Sequence, residues 1–375
     1  MTQITTFSNP AGGIALTDAD PRDPADLPAG PPTSFKNGEF PDPGSVGVPE
    51  TVRMAFAPAV DAASAERYTH HLAHSHYENF SVVSLLLPRR LRQDFCNVYA
   101  FCRTADDLAD EVGDKAKSLN YLSAFGEQAR AMYAGTPKAA IFIALARTVR
   151  RHDIPVTPFL DLIDAFEQDQ RVSRYETFDQ VVDYCRRSAD PVGRMVLYMC
   201  GYRDAELQRL SDKTCTALQL ANFWQDVRRD LLERDRIYLP GESMRRFGVD
   251  EESIRDGIRV GRGSEALREL IRFEVERTEA MFVEGGKLVP MLAPSLRGQI
   301  GLFGSGGIAI LQAIRRQGFD TLARRPVLSR WEKGRLVCSA VAVALLAHIC
   351  DTGVYVPRRS TSASRGNRWP GGTGQ

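Results

Sequence analysis

Apolar positions recur at helical spacing along most of the chain, whereas the alternating pattern of β-strands is scarce. Glycine and proline fall mostly between the periodic segments. Pro155 and Pro158 introduce a helix from Phe159 to Asp169, and Thr177 supplies a polar residue before another apolar run. The pattern predicts an all-α fold, with a single large helical domain over residues 61–350.

The two ends of the chain lack this periodicity. Residues 1–60 are rich in Pro, Gly, Asp and Ala, which predicts a disordered leader. Residues 351–375 are rich in Ser, Arg and Gly and predict a disordered tail. An apolar run from Leu336 to Cys350 is too short to span a membrane, so a buried helix is the favoured interpretation. A segment on the membrane surface, beside Arg330, Lys333 and Arg335, is the alternative.

Composition narrows the class of protein. The chain has 48 basic and 47 acidic residues, so no overall field favours a nucleic acid as partner. Its seven cysteines show no CxxC spacing, and the N-terminus lacks the basic start and apolar core of a signal peptide. These features favour a reduced, cytoplasmic protein, with peripheral membrane association as an open alternative.

A first candidate site follows from one helical stripe that begins apolar and ends in carboxylates: Phe95, Tyr99, Cys102, Asp106 and Asp110. Asp106 and Asp110 lie about 6 Å apart along the helix axis and repel each other. Mg²⁺ suits such a pair, because it takes a few carboxylates together with substrate phosphate oxygens. Arg103 lies three residues before Asp106 and can grip a diphosphate. A solvated acidic end of a surface helix is the alternative interpretation.

A second stripe carries three oxygen-bearing side chains, Asn222, Asp226 and Asp230, at spacings of four. A separate apolar stripe on the same helix consists of Leu220, Trp224, Val227 and Leu231. An amphipathic surface helix in which Arg229 pairs with Asp226 is the alternative, but Asn and Asp are modest helix formers. Two such helices facing each other would make a Mg²⁺ cage that neutralises a departing diphosphate above a dry apolar pocket.

The segments Tyr99–Glu111 and Asn222–Asp230 resemble the two aspartate-rich motifs of the squalene/phytoene synthase family. Arg236-Ile237-Tyr238-Leu239-Pro240 also resembles a family segment, as does the stretch from Gly318 to Ser329. The resemblance covers residues from about 70 to 340. It implies an isoprenoid synthase fold with a central substrate cavity, Mg²⁺ as cofactor and a prenyl diphosphate as substrate.

Within the family, the segments His76–Phe80 and Tyr184–Gly193 resemble the bacterial hydroxysqualene synthases of hopanoid pathways. Most family members carry a tyrosine shortly after Cys185, where this chain has Arg186 and Arg187. That tyrosine is implicated in the condensation half of the family's reaction. The resemblance therefore implies that presqualene diphosphate is ionised, rearranged and quenched by water to hydroxysqualene, without a reductant. A head-to-head prenyl diphosphate synthase, making presqualene diphosphate, squalene or phytoene, remains the alternative.

The resemblance also assigns roles to particular residues. It implies that the metal and catalytic residues are the five motif side chains Asp106, Asp110, Asn222, Asp226 and Asp230. It implies substrate contacts from His76, Asn79, Arg103, Arg236 and Tyr238, and either Asn79 or Asp190 is expected to hold the quenching water. Neighbouring pathway enzymes are possible partners. A non-catalytic assembly factor of the same fold is disfavoured because the aspartate motifs are intact.

Two other signals have plainer interpretations. The cluster His70, His71, His74 and His76 lacks an HExxH pattern, which argues against a zinc site. The glycine-rich stretch from Gly301 to Gly307 lacks the strand-turn-helix context of a dinucleotide fingerprint. It is expected to allow close contact between helices.

Overall fold

A computed structural model of the protein describes residues 50–59, 61–75, 88–329 and 331–336. It confirms the all-α fold: the described residues contain no β-strand, only isolated bridges between Pro58 and Ala139 and between Arg174 and Ile237. The α-helices are α1 (Glu50–Ala55), α2 (Ala62–Ser75), α3 (Arg92–Asp110), α4 (Lys115–Tyr133), α5 (Ala140–His152), α6 (Thr157–Asp169), α7 (Phe178–Ser188), α8 (Asp190–Met199), α9 (Ala205–Arg234), α10 (Gly241–Arg246), α11 (Glu251–Val260), α12 (Glu265–Gly285) and α13 (Pro294–Arg316). Short 3₁₀-helices span Arg89–Leu91 and Gly286–Met291, and residues 331–336 are helical.

Two large apolar cores are each organised around one helix. Helix α3 packs against α1, α2, α4, α5, α6 and α8, and its Phe101 is fully buried among the rings of Phe125, Phe142 and Phe159. Helix α9 packs against α7, α8, α12 and α13. Its Trp224 is fully buried, and the indole nitrogen donates to the Thr278 hydroxyl at 2.9 Å. The two helices that carry the aspartate motifs are thus the central elements of the fold.

Helix α9 begins and ends with recognisable local signals. Asp204 caps its first turn by accepting from the backbone amides of Glu206 and Leu207. Asp235 ends it in the left-handed conformation, with φ of 51°. The predicted apolar stripe, which runs from Leu220 to Leu231, is buried in the second core. The aspartate stripe lies on a different face of the helix from this apolar stripe.

The predicted helix starts are confirmed. Helix α6 begins at Thr157 with Pro158 in its first turn and ends at Asp169. Thr177 caps α7 through a capping box with Gln180, in which each side chain binds the other residue's backbone amide.

The predicted disordered leader, residues 1–60, includes residues that are ordered in the structure. Val52, Ala55 and Phe56 are buried in the first core, and α1 packs against α3. Ala55 follows Val52 by three residues and Phe56 follows it by four, so all three side chains lie on one side of a short helix. The surrounding Pro, Gly and Ala hid this pattern in the sequence. Residues 50–59 therefore belong with the helical domain.

Several predictions fall outside the described residues. They concern the leader over residues 1–49, the substrate contacts of His76 and Asn79, and the tail over residues 351–375. The apolar run that starts at Leu336 is described only at that first residue. No helix within the described ranges combines the length and the apolar character needed to cross a bilayer.

The glycine-rich part of α13 allows close helix contact, as expected. A methyl group on Gly307 would overlap the ring of Phe282 and would lie 2.8 Å from Cδ2 of Leu218. A methyl group on the neighbouring Gly306 would have no atom within 4 Å. These two glycines make a matched pair for testing the packing of α13 against α9 and α12.

We expect Gly307→Ala to destabilise the fold by about 1–3 kcal/mol, because the added methyl overpacks the α12–α13 contact. For a domain of this size, that corresponds to a fall in the melting temperature of roughly 2–4 °C per kcal/mol, measured by circular dichroism. Gly306→Ala should leave stability unchanged or raise it by about 0.5–1 kcal/mol through helix propensity. Equal melting temperatures for the two variants would contradict the described packing.

Candidate active site

The first aspartate motif occupies the C-terminal turns of α3. Asp106 is 8% exposed and Asp110 is half-buried, on the same stripe as the buried Phe95. Arg103 lies beside the motif as predicted: its Nη1 is 3.5 Å from Asp106 Oδ2, and its Nη2 pairs with Asp107. The same guanidinium reaches Glu111 at 3.0 Å. Arg103 therefore balances several carboxylates at the end of α3.

The second motif lies on the C-terminal half of α9. Asp230 is buried, and Asn222 and Asp226 are half-buried. Arg229 Nε contacts Glu233 at 2.8 Å, so the pairing with Asp226 that the alternative surface-helix interpretation required is not what the structure shows. The partner of Asp226 is Arg325, whose Nη2 donates to Asp226 Oδ2 at 2.8 Å while its Nε pairs with the other carboxylate oxygen.

Arg234 joins the two motifs, and Arg236 joins the first motif to α6. Arg234 Nη2 lies 2.7 Å from Asp110 Oδ2, and its Nη1 lies 3.7 Å from Asp230 Oδ1. Arg236 Nη1 lies 3.5 Å from Asp110 Oδ1 and 3.5 Å from Asp169 Oδ2. The structure therefore brings both aspartate helices to one site, with guanidinium groups between them.

Arg234, Arg325 and Asp169 were missed by the sequence analysis. Arg234 lies one turn after Asp230, so helical spacing offered a signal for that pair. Nothing local connects Asp226 with Arg325, because 99 residues separate them. Asp169 is the last residue of α6 and reaches the site only through the packing of α6 against α3 and α7.

Tyr238 lies in a buried aromatic cluster beside the site. Its ring stacks on Phe223 with centroids 3.7 Å apart, and its hydroxyl is 3.0 Å from that of Tyr184. The Tyr184 hydroxyl also hydrogen-bonds to Asp169. Tyr238 thus helps to fix Tyr184, which holds Asp169, and Asp169 in turn holds Arg236. Its predicted contact with substrate stays a prediction.

The site carries more buried negative charge than its arginines satisfy. Burial raises the pKa of Asp106 well above its usual range, and the nearby Asp110 raises it further. Burial raises the pKa of Asp230 to about 8, and Asp226 adds to this shift. Oδ1 of Asp106 is buried without a hydrogen-bond partner. A cation beside these carboxylates would relieve both effects.

Carboxylates in this arrangement could hold a divalent cation that needs few protein ligands. Within the described ranges, no group of three or more His, Cys, Asp or Glu side chains could hold a metal ion unaided. Mg²⁺ accepts one or two carboxylates and completes its shell with water and phosphate oxygens. The donor set therefore fits a metal shared between the protein and a diphosphate.

One face of α9 is polar along nearly its whole length, at Gln208, Asp212, Cys215, Gln219, Asn222, Asp226 and Asp230. Gln219 lies one turn before Asn222 and about 10 Å along the axis from Asp226. Its side chain is buried, and its amide nitrogen has no hydrogen-bond partner. A buried donor without a partner lowers the stability of the folded protein by about 1–3 kcal/mol. The amide nitrogen of Gln219 is therefore a candidate site for binding a water molecule or a polar group of a ligand.

Asp190 lies farther from the aspartate motif. It is buried at the start of α8 and accepts a hydrogen bond from Thr216 at 2.8 Å. Thr216 is ten residues before Asp226, which is roughly 15 Å along α9. Arg194 and Asp212 form a bidentate pair nearby, with distances of 3.0 and 2.7 Å. Asp190 is thus part of a polar cluster between α8 and α9.

Arg187 contacts α6 rather than the two aspartate motifs. It pairs with Asp164 and donates to Gln168 Oε1 at 2.6 Å, both on α6, and so ties α7 to α6. The predicted absence of a histidine zinc site is not tested as a whole, because His76 lies outside the described residues. His70 and His74 stack with ring centroids 4.0 Å apart.

Comparisons with known proteins identify similar sequences and structures. The squalene/phytoene synthase family model matches residues 73–332. The phytoene synthase of Thermus thermophilus is 34% identical over 271 residues, covering 72% of this chain and 90% of that protein. The hydroxysqualene synthase of Zymomonas mobilis is 37% identical over 175 residues, covering 46% and 58%. The crystal structure of squalene synthase HpnC from Alicyclobacillus acidocaldarius is 46% identical, with a TM-score of 0.64 and coverage of 70% and 97%.

We expect Arg236→Gln to destabilise the protein by about 3 kcal/mol or more, measured by urea unfolding, because it leaves the buried Asp169 without its counter-charge. Asp169→Asn in the same background should recover much of that loss, since it removes the uncompensated charge. Arg229→Gln, which breaks a more exposed pair with Glu233, should cost less than about 1 kcal/mol. A loss that Asp169→Asn does not reduce would show that Arg236 acts independently of Asp169.

Proposed function

Because the chain belongs to the squalene/phytoene synthase family, we propose that it ionises presqualene diphosphate with Mg²⁺ and lets water quench the rearranged cation to hydroxysqualene. The family members are enzymes that use prenyl diphosphates, and this is the class of substrate for the chain. The finer reaction rests on the site and on the segment around Arg187.

The observation that carries the proposal is the meeting of α3 and α9 at Arg234. One guanidinium lies between Asp110 and Asp230, so carboxylates from two helices border one space. Asp106, with its unpartnered buried oxygen, interacts electrostatically with Arg234, and Asn222 and Asp226 lie on the same face of α9 as Asp230. Such a set suits the binding of a diphosphate whose negative charge must be matched as it leaves.

Bound Mg²⁺ would supply Lewis-acid stabilisation of the departing diphosphate, held by Asp106 and Asp110 on one side and by Asn222, Asp226 and Asp230 on the other. Arg103, Arg234 and Arg236 provide charged donors at the same place and can shift from carboxylates to phosphate oxygens. The buried rings of Tyr238 and Phe223 stack on each other beside Tyr184, which hydrogen-bonds to Asp169, and they help to exclude water from this end of the site.

Gln219 is our candidate for the residue that holds the quenching water. Its unpartnered amide nitrogen lies on the same face of α9 as the metal-binding side chains and about one turn below Asn222. A water bound there would form the new C–O bond with the cation, and its proton would pass to the released diphosphate. Asp190 is a weaker candidate, because its partner Thr216 is about 15 Å along α9 from Asp226.

The segment after Cys185 supports the branch within the family. The tyrosine that most family members carry there is replaced, and Arg187 is engaged with α6 rather than with the aspartate site. A relative named hydroxysqualene synthase is consistent with this choice, whereas the 46% identical HpnC is named a squalene synthase, which is the second candidate.

A head-to-head synthase that starts from two prenyl diphosphates is the second candidate. It is favoured by the phytoene synthase relative, which matches over 90% of its length at 34% identity. A non-catalytic role is disfavoured, because the acidic side chains of both motifs are retained and those of Asp106 and Asp230 are buried at cost.

Incubation of the purified protein with Mg²⁺ and presqualene diphosphate, without a reductant, should give the C30 alcohol hydroxysqualene. Farnesyl diphosphate should give little product under the same conditions. The products are separated by gas chromatography with mass spectrometry, and ¹⁸O-labelled water should place its oxygen in the alcohol.

Asp226→Asn serves as the matched inactive protein, expected to lose at least about a hundredfold in kcat because it weakens charge stabilisation of the leaving group. Removal of Mg²⁺ by EDTA should stop turnover, and added Mg²⁺ should restore it. Efficient formation of presqualene diphosphate or phytoene from a prenyl diphosphate would overturn the branch assignment and favour the second candidate.

Gln219→Leu should change the product more than the rate of ionisation. Without a donor to hold water, the cation would lose a proton instead, so the ratio of hydrocarbon to alcohol should rise by about tenfold, on the scale of one lost hydrogen bond. The readout is product composition together with diphosphate release. Gln208→Leu, on the same face of α9 but about 16 Å from Gln219, is the matched control. An unchanged product ratio in Gln219→Leu would remove Gln219 from the proposal.

A further inference from the structure

We propose that Arg174 is a positioning residue for the reaction: it fixes the turn at Asp235 and thereby holds the guanidinium groups of Arg234 and Arg236 in the aspartate site. The inference rests on the proposed function, because it assigns these two arginines to the diphosphate of the substrate. Arg174 lies on the segment between α6 and α7 and pairs with Asp235 and Glu251 rather than with either aspartate motif.

The turn at Asp235 sets the directions in which two arginines leave the backbone. Asp235 follows the last residue of α9 in the left-handed conformation, with φ of 51°, between Arg234 and Arg236. This conformation is unfavourable for a residue with a Cβ atom, although Asp tolerates it better than most. A change of φ at Asp235 would rotate Arg236 relative to Arg234, because the backbone turns only about φ and ψ. Both guanidinium groups contact the carboxylate of Asp110, at 2.7 and 3.5 Å, so this joint contact depends on the turn.

Arg174 holds this turn through both its backbone and its side chain. Its Nη1 donates to the Asp235 carbonyl, and its Nη2 lies 3.0 Å from Asp235 Oδ1. Nε and Nη2 also donate to the two carboxylate oxygens of Glu251, each at 2.9 Å. Glu251 begins α11, whose Ile254 and Ile258 are buried in the second core. The guanidinium therefore ties an unfavourable backbone conformation to a helix that packing holds in place.

The segment that carries Arg174 also contacts the first aspartate helix. Gln170 Nε2 donates at 3.1 Å to the carbonyl of Ala109, one residue before the end of α3. The Ile237 amide donates at 2.9 Å to the carbonyl of the residue before Arg174. Residues 170–174 thus join the end of α3 to the residues that follow α9. Arg174 lies at the end of this connection that reaches the turn.

The exposure of these side chains limits what Arg174 contributes to the stability of the whole fold. Its side chain is 34% exposed, and those of Asp235 and Glu251 are 71% and 38% exposed. Ion pairs with this much exposure add little to the free energy of unfolding. Several directed hydrogen bonds from one planar guanidinium can nevertheless select one conformation of a turn. Loss of Arg174 is therefore expected to change ligand binding more than global stability.

The first measurement is the affinity of the full-length protein for inorganic diphosphate in the presence of Mg²⁺, by isothermal titration calorimetry. Arg174→Gln should bind about tenfold more weakly, because Arg234 and Arg236 must then be ordered when the ligand binds. Its midpoint of urea unfolding should stay close to that of wild type. Glu251→Gln, which loosens the anchor but leaves Arg174 in place, should give a smaller loss of affinity.

The second measurement, amide hydrogen exchange followed by mass spectrometry, reports the turn itself without any ligand. The peptide that contains Arg236 and Ile237 should exchange about tenfold faster in Arg174→Gln, because opening of the turn frees these amides. Arg171→Gln is the matched control, since Arg171 lies on the same segment, carries the same charge and pairs with Glu167 at 3.3 Å. It should equal wild type in both measurements, which separates the turn from the simple loss of a positive charge.

Unchanged exchange in Arg174→Gln would overturn the inference, because the turn would then not depend on Arg174. Faster exchange with unchanged diphosphate affinity would also overturn it, because the turn would then not position the two arginines for the ligand. Wild-type protein that binds no diphosphate would overturn the proposed function and this inference together. The two kinds of failure are distinguishable, since the proposed function fails in wild type, whereas the inference alone fails as a variant that equals wild type.

Discussion

The concentration of buried carboxylates where α3 meets α9 is the constraint on which the rest of the structure depends. Asp106, Asp169 and Asp230 are each almost fully removed from water. Burying an ionised carboxylate is costly unless a positive group or several hydrogen bonds accompany it. Arg234, the last residue of α9, and Arg236, just after it, supply that charge, so the end of α9 must lie against the end of α3.

The two apolar cores hold these ends in place. One core surrounds α3 and the other surrounds α9; α6 packs against α3, α7 packs against α9, and α8 packs against both. The aspartates lie at the ends of helices whose other faces are packed with aromatic and aliphatic groups. Rigid helices position carboxylates more closely than loops do, which matters for a site that must match a charge that develops during reaction. Stability and chemistry are thus built on the same two helices.

The sequence predicted the features that depend on local spacing. The all-α fold, the starts of α6 and α7, and the placement of each aspartate motif on one face of one helix follow from periodicity, and the structure agrees. It did not predict the pairing of Asp226 with Arg325 or the burial of Asp169, because these depend on contacts between segments 99 and 67 residues apart. Local spacing also left open a pairing of Arg229 with Asp226, whereas Arg229 pairs with Glu233 and Asp226 with the distant Arg325, a choice that only tertiary packing decides.

The segment after α13 places a guanidinium group against the Asp226 carboxylate. Arg325 occupies both oxygens of that carboxylate, so a metal ion or diphosphate that binds Asp226 must share it with the guanidinium or displace it. Arginine is suited to this exchange, because its planar fork binds carboxylate and phosphate equally well.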